Sequence, residues 1–418
     1  MSARQVATRV LFRVAEDGAY AMPTLDAEIR RAELSRRDAA LATEIVYGTL
    51  RVLPRLDRRL DAYLRRPRKT DAWLRAALRG GAYQLLHLAR VPPHATVSET
   101  VAVVKRERGP RLGGVANAVL RKLVPERPES PERPGTLALP EWLSPRITAS
   151  VGEDRARVFA EARRLPPPLG LRASGDPAAL AERLRSARPE AEIELVGERG
   201  LSVRGAGDPR ELPGYEVGEF AVQELGAQQI IELVEVAAGE RVADLCAGHG
   251  TKTLALAQRV GDEGRVDAVD LYEEKLERIS GEAMRLGIPL DRVRTHAVDL
   301  SVGLGGLEER SYDRVLLDAP CSGLGTVHRR PELLLRLSPT DPARLARLQL
   351  RLLHAAAQLP KTGGTLVYAV CSLTAEEGDG VAEAFEAECP DFTREADLFL
   401  GPWDGELDAY RVFRWRLG

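Results

Sequence analysis

Residues 244–253 read Asp244-Leu245-Cys246-Ala247-Gly248-His249-Gly250-Thr251-Lys252-Thr253, a β-rich run that ends on a glycine turn and opens a helix. Such a junction lets backbone N–H groups and a helix N-terminus approach an anionic ligand group. Only Gly248 and Gly250 are present, so the loop is not the three-glycine dinucleotide fingerprint, and it lacks the P-loop spacing. Further β-rich runs at 241–248, 265–271, 292–300, 312–320 and 364–373 alternate with helical stretches at 251–260, 273–287, 340–360 and 375–388. This alternation predicts a doubly wound, mostly parallel sheet. Ligands of such sheets sit outside the carboxyl ends of the strands, where every unusual residue of this half falls.

Asp270 closes the second run, 22 residues beyond Gly248, a place from which a carboxylate commonly accepts hydrogen bonds from ribose hydroxyls. Asp299 closes the third run, within reach of a bound adenine. Each Asp could separately be a helix N-cap. A nucleoside-containing cofactor explains better why successive strands end on Asp or Gly beside one crevice. Asp318-Ala319-Pro320-Cys321-Ser322-Gly323 ends the fourth run and Ala369-Val370-Cys371-Ser372 the fifth. A lone cysteine is usually a small core hydrophobe. Two at strand tips, one near an Asp and both near a Lys-bearing glycine loop, point to thiolate chemistry.

Outward from this half the pattern changes. Residues 4–124 show apolar spacings of three and four, as in Val6, Val10, Leu11 and Val14, with breaks at Gly18, Pro54, Pro67, Pro92–Pro93 and Gly109–Pro110. Six or seven helices are expected there. The chain then divides into a helical domain at 1–125, a stiff, solvated Pro-rich linker at 126–142, a small α+β module at 143–222 and the strand–helix domain at 223–418. Within the module, strands are expected at 169–174 and 191–196 around a charged helix at 177–188.

The chain has 418 residues, 29% charged and 44% hydrophobic, which suits two or three globular domains. No apolar run approaches the ~18 residues of a membrane span. Charges at Arg9, Arg13, Glu16 and Asp17 deny the N-terminus a signal-peptide core. Four scattered cysteines without CxxC, and six histidines without metal-ligand spacing, predict no disulfide framework, no metal and a cytoplasmic location. The net charge of −2 hides a split: residues 1–125 hold 24 Lys and Arg against 12 Asp and Glu, the remainder 36 against 50. Arg51, Arg55, Arg58, Arg59, Arg65, Arg66, Arg68 and Lys69 crowd one short run, which reads either as a solvated helix face or as a polyanion-binding face.

The runs DLCAGHGTKT, VDAVDLYEEKL, LLDAPCSGLGTVHRRPEL and GGTLVYAVCSLTAEE resemble the sequential motifs of the Sun/NOP2 RNA cytosine-C5 methyltransferases, which use S-adenosylmethionine. Independently, ATRVLFRV, EIVYGTLRVLPRLDRRLDAYL, LRGGAYQLLHLARVPPHATVSETV and VANAVLRKL resemble the NusB-like RNA-binding domain that precedes the methyltransferase in the bacterial small-subunit ribosomal RNA methyltransferase B family. The resemblance covers essentially the whole chain. It implies a multidomain α and α/β protein: an all-α NusB-like domain, a small α+β RNA-binding module and a Rossmann-like class I methyltransferase domain.

Carried over position by position, the resemblance implies a cofactor site of Cys246, Ala247, Gly248, His249, Gly250, Thr251 and Lys252, with Asp270 on ribose, Asp299 on adenine, and Asp318. Cys371 matches the nucleophile and Cys321 the cysteine that helps release product, with Asp318 and Lys252 stabilising charge on the ring. His328, Arg329 and Arg330 are expected on backbone phosphates, as are Arg58, Arg59, Arg65 and Arg66, with a solvated charge cluster as the plainer reading. His249 is equally a ligand contact or a tolerated loop residue. Cys246 and Cys389 are expected to pack, and Gln223 too.

The chain departs from the family pattern in the glycine loop, which lacks the usual Pro and one Gly; at Val370, usually Thr; at Leu333–Leu335, where Trp is usual; and in ELDAYRVFRWRLG after Asp404-Gly405. The expected activity is formation of 5-methylcytidine in 16S ribosomal RNA, or its small-subunit precursor, by a monomer. Two alternatives remain, a scaffold with a weakened catalytic domain and a methyltransferase acting on another ribosomal or transfer RNA site.

Overall fold

Within the computed structural model, residues 1–130, 136–161 and 167–418 are described, and they form two compact units with separate cores. The first unit takes in the described residues up to Glu161 and, from much later in the chain, Val327–Ser338. Its helices are α1 (Ala3–Glu16), α2 (Ala21–Ala32), α3 (Arg36–Arg51), α4 (Leu53–Asp61), α5 (Ala72–His87), α6 (Pro93–Leu123), α7 (Leu143–Val151) and α8 (Glu153–Glu161). The Ser2 hydroxyl caps α1 by accepting from Gln5 N–H, and Val6, Val10, Leu11 and Val14 form its buried stripe. α5 is apolar nearly all round and is the central helix, started by Asp71 accepting from Leu74 N–H. The expected breaks hold: Pro54 stands in the first turn of α4, Pro92 caps α6, and Gly109 (φ 81°) before Pro110 kinks α6.

The structure draws the internal boundaries differently from the expectation. Of the Pro-rich stretch 126–142, residues 131–135 lie outside the described residues. Leu137 and Ala138, expected in a solvated linker, are buried, their N–H groups donating to Ala160 and Arg51 carbonyls. The expected module at 143–222 is divided, because α7 and α8 bury Leu143, Ile147 and Phe159 within the helical unit. Val327–Ser338 also leaves the expected 223–418 domain: His328 lies edge-on to Phe159 at 4.9 Å, and the buried Glu332 carboxylate accepts from Ala21 N–H at 3.1 Å.

The second unit comprises β1 (Leu169–Ala173), α9 (Pro177–Ala187), β2 (Glu192–Val196), β3 (Gly200–Arg204), β4 (Phe220–Val222), α10 (Leu225–Val234), β5 (Arg241–Leu245), α11 (Thr251–Val260), β6 (Arg265–Asp270), α12 (Glu273–Arg285), β7 (Val293–Ala297), β8 (Tyr312–Asp318), α13 (Asp341–Ala356), β9 (Pro360–Val370), α14 (Asp379–Glu388), β10 (Phe392–Leu400) and β11 (Tyr410–Leu417). β1 to β4 form an antiparallel sheet in the order β2-β3-β1-β4. The larger sheet runs β10-β11-β9-β8-β5-β6-β7, parallel from β9 to β7, with β11 antiparallel to both its neighbours. Its faces carry separate apolar clusters, one around Val242, Leu256 and Ile279, the other around Val315, Phe385 and Trp415. Burial on both faces explains the near-continuous apolar runs of β5, β8 and β9. The order reverses between β5 and β8, so their carboxyl ends flank a crevice.

Candidate active site

Cys246, just beyond β5, turns the chain with φ 62°, an uncommon conformation for a residue with a Cβ. Ala247 N–H donates to Val269 O at 2.9 Å, and Gly250 N–H returns to Ala247 O at 3.0 Å, closing the turn. At Gly250 (φ 79°) a Cβ would stand 2.6 Å from Ile279 Cγ1, so only glycine fits. At Gly248 (φ 57°) a Cβ would meet nothing within 4 Å, so open space lies outside the turn. The sharp turn therefore forms without the family's Pro. His249 is exposed and Cys246 packs against one core cluster, where burial pushes its thiol up.

Asp270 ends β6 with its carboxylate turned onto this loop. It accepts from Gly248 N–H at 2.9 Å, Tyr272 N–H at 3.0 Å and Lys275 Nζ at 3.2 Å. A carboxylate offers about four acceptor positions, so among the described residues one remains for a hydroxyl. The exposed side chains of Leu271 and Tyr272 follow directly. Asp299 lies two residues past β7, exposed, with one oxygen taken by the Ser301 backbone and hydroxyl, which hold its pKa below the usual carboxylate range. A turn with outward space, an acidic residue at the next strand tip and apolar side chains beside it suit the methionyl, ribose and adenine parts of S-adenosylmethionine.

Lys252, in the first turn of α11, reaches Asp318 at the tip of β8, with Nζ 2.6 Å from Oδ2. Burial opposes its charge, but Asp318, Asp244 and Cys371 outweigh this and raise its pKa. Beneath lies Asp244, fully buried in β5. It accepts from the Thr253 hydroxyl at 2.6 Å, its other oxygen has no partner among the described residues, and burial pushes it up to about 7.

Asp318 and Ala369 are register partners on β8 and β9, and the chain beyond each brings its cysteine to the same place. Cys321 Sγ and Cys371 Sγ are 3.2 Å apart, and both residues are partly exposed. The hydrogen bond to Cys371 and burial hold the Cys321 thiol well above its ordinary pKa. Gly325 N–H donates to Cys371 O at 2.9 Å, and Gly325 O accepts from Ala409 N–H at 3.0 Å, pinning the two strand-end loops together. Glu377, fully buried, accepts from the residue after each cysteine: Ser322 N–H at 2.7 Å, Ser322 Oγ at 2.5 Å and Ser372 Oγ at 2.6 Å.

The structure thus brings together Lys252, Asp318, Cys321 and Cys371, with the 246–252 loop and Asp270 alongside. Sequence reasoning passed over Glu377, Asp244 and Gly325. The only outward sign of Glu377 was the hydroxyl-rich company of Ser322, Ser372 and Thr374, which needs a shared acceptor. His328 is corrected: it is buried against Phe159 and is not placed for a phosphate. Arg330 is exposed and Arg329 half-buried. Arg58, Arg59, Arg65 and Arg66 are all exposed; Arg59 pairs with Glu126, while the other three have no ion pair among the described residues. Cys389 and Gln223 sit in packed surroundings, and most of the C-terminal segment that departs from the family pattern is the buried strand β11. Among the described residues, no cluster of three or more His, Cys, Asp or Glu could hold a metal, and no helix is long and apolar enough to cross a membrane.

Residues 231–397 match the family described as 16S rRNA methyltransferase RsmB/F, and residues 1–125 match the NusB family. The ribosomal RNA small subunit methyltransferase B of Thermus thermophilus is 38% identical, covering 94% of this chain and 89% of that protein. Its Xylella fastidiosa namesake is 34% identical over 93% and 91%. Among solved structures, PH0851 superposes over 100% of this chain and 99% of its own (TM-score 0.84, 21% identity). NSun6 from Pyrococcus horikoshii with SFG covers 67% of this chain and 98% of its own (TM-score 0.60, 18% identity), and both likenesses speak to the fold. With near-full-length relatives above 30% identity and both halves matched in order, the chain belongs to the ribosomal RNA small subunit methyltransferase B family and is an S-adenosylmethionine-dependent methyltransferase.

Proposed function

We propose that the chain methylates C5 of a cytosine in 16S ribosomal RNA, through a covalent bond between Cys371 and C6 of the base. The observation that carries this reading is the pair of thiols 3.2 Å apart at neighbouring strand tips, beside the Lys252–Asp318 pair. Bound S-adenosylmethionine supplies an electrophilic methyl group on a sulfonium centre. The loop Cys246–Lys252 and Asp270 would hold its methionyl and ribose parts, and Asp299 its adenine.

Cytosine C5 is too weak a nucleophile unaided. Attack of the Cys371 thiolate on C6 moves electron density to C5. Asp318 accepts a hydrogen bond from the exocyclic amino group beside N3, and the Lys252 ammonium compensates its charge and the charge growing on the base. After transfer, the proton on C5 must leave before the Cys371–C6 bond breaks, and Cys321 takes part in that step. The chief cause of its raised pKa is the hydrogen bond to Cys371, whose own charge adds to it. Once Cys371 is bound to carbon, both influences disappear and the Cys321 thiol becomes easier to ionise.

The 16S RNA or its small-subunit precursor is met in the cytoplasm by a monomer, with Arg58, Arg65, Arg66 and Arg330 on its backbone phosphates. The altered glycine loop was the one ground for a scaffold reading, and its closed turn leaves that reading without support. The test is methyl transfer from labelled S-adenosylmethionine to a 16S transcript. Cys371→Ala should abolish transfer, whereas Cys321→Ala should accumulate protein–RNA adduct on a denaturing gel. Full activity of the Cys371 variant would overturn the reading.

A further inference from the structure

The serine after Cys321 and the serine after Cys371 end on one carboxylate. Glu377 Oε1 accepts from Ser322 N–H at 2.7 Å and Gln349 Nε2 at 3.1 Å. Its Oε2 accepts from Ser322 Oγ at 2.5 Å, Ser372 Oγ at 2.6 Å and Thr374 Oγ1 at 3.1 Å. Its backbone carbonyl accepts from Tyr368 Oη at 2.6 Å, and the same hydroxyl reaches Gln349 Oε1 at 3.0 Å. Every partner of the carboxylate is a donor, and none is a cation among the described residues. A buried carboxylate is costly unless its lone pairs are filled, and here they are filled mainly by the two cysteine loops. Replacing it would leave five converging donors without their acceptor.

We propose that Glu377 is a positioning residue for the two cysteines: one buried carboxylate holds the residue following each, and so sets the contact between Cys321 and Cys371. The proposal rests on the reading of those cysteines as nucleophile and release group. Its geometry has two consequences. The loops cannot separate without breaking hydrogen bonds to Glu377, so the sulfur contact persists without substrate. The carboxylate also lies close enough to contribute, after Cys371 and burial, to holding the Cys321 thiol protonated.

The test uses the full-length protein without RNA. Cys321 and Cys371 are alkylated with iodoacetamide across a pH series, and each site is followed by peptide mass spectrometry. Glu377→Gln keeps the shape but removes the charge and one acceptor oxygen. The pH midpoint for alkylating Cys321 should fall by about half a unit or more, and single-turnover methyl transfer should fall at least about tenfold (roughly the effect of impaired positioning). Should Glu377→Gln fail to fold, Ser322→Ala with Ser372→Ala removes two of the donors and leaves the carboxylate. It should shift the same alkylation profile and slow the same turnover. An unchanged profile with unchanged single-turnover rate, in whichever variant folds, overturns the proposal. The alkylation readout needs no methyl transfer, so the two failures are distinguishable: a Cys371→Ala variant that stayed active would remove the chemical reading on which the proposal rests, whereas an unchanged alkylation profile in the Glu377 variant would overturn the positioning itself.

Discussion

Asp244 shows what the site costs at the level of a single residue. Burial in β5 pushes its carboxyl up to about 7, while an unfolded chain releases the same proton near pH 4. Between those values the folded protein holds a proton that the unfolded chain has released, so this group's contribution to stability falls as pH rises from about 4 to 7 and levels off above. Asp244→Asn removes the ionisation and still accepts from Thr253. Its stability relative to the parent protein should therefore rise across that window, by up to about 4 kcal/mol. The amide nitrogen adds a pH-independent penalty, so the slope matters rather than the offset. Urea midpoints of both proteins at pH 5, 6, 7 and 8 measure it, and parallel curves would show that Asp244 does not titrate in this range.

At the scale of elements, the site depends on how the loop after β8 is threaded against the end of β9 and the start of β11. Gly325 is the narrowest point, because a Cβ there would collide with the backbone carbonyl oxygen of Ala409 and crowd the carbonyl carbon of Cys371. Backbone cannot swing aside as a side chain does. Gly325→Ala should cost about 1–3 kcal/mol of stability and displace Cys371 enough to slow single-turnover transfer about a hundredfold. A melting curve and a transfer assay check both, and a fully active variant would show that the threading does not place the nucleophile. The parallel strands β5, β6, β8 and β9 could be read from sequence because burial on both faces demands apolar runs. β10 and β11 could not, since β11 alternates Arg411, Arg414 and Arg416 with aromatics. Those arginines are held in the sheet by ion pairs to Asp379, Asp397, Glu235 and Glu395 and by hydrogen bonds to the Leu398, Leu233 and Gly363 carbonyls, partners that the local sequence does not announce. Lys252, Asp270, Asp318 and both cysteines were readable because strand tips announce themselves. Glu377 was not, since two consecutive glutamates before a helix look like ordinary helix-start charge. His328 misled for a similar reason: beside two arginines it looks like a phosphate ligand, and only the tertiary fold supplies Phe159.

For the whole molecule, the charge split becomes a question of where the cations lie. Arg58, Arg65, Arg66, Arg68 and Lys69 stand exposed, without ion pairs among the described residues, around the end of α4 and the turn that follows. Removing residues 1–125 would be an unclean test of this face. Val327–Ser338 belongs to the helical unit, where Arg51 donates to His328 O and Ala21 N–H donates to Glu332, so truncation would strip buried polar groups of their partners. Charge reversal avoids that injury because exposed arginines support no core. The triple variant Arg58→Glu, Arg65→Glu and Arg66→Glu should keep its melting temperature and its calorimetric affinity for S-adenosylmethionine. Its binding to a 16S transcript should weaken. Every RNA phosphate that the protein ceases to neutralise makes the plot of log K against log salt shallower by roughly 0.7–0.9, so three such phosphates predict a change of about 2–3. An unchanged slope would mean that the cations of this helical unit are a solvated surface and that RNA is anchored elsewhere. A changed slope with unaltered cofactor binding would assign the anchoring to this face, with the carboxylates at the strand tips left to the cofactor and the base.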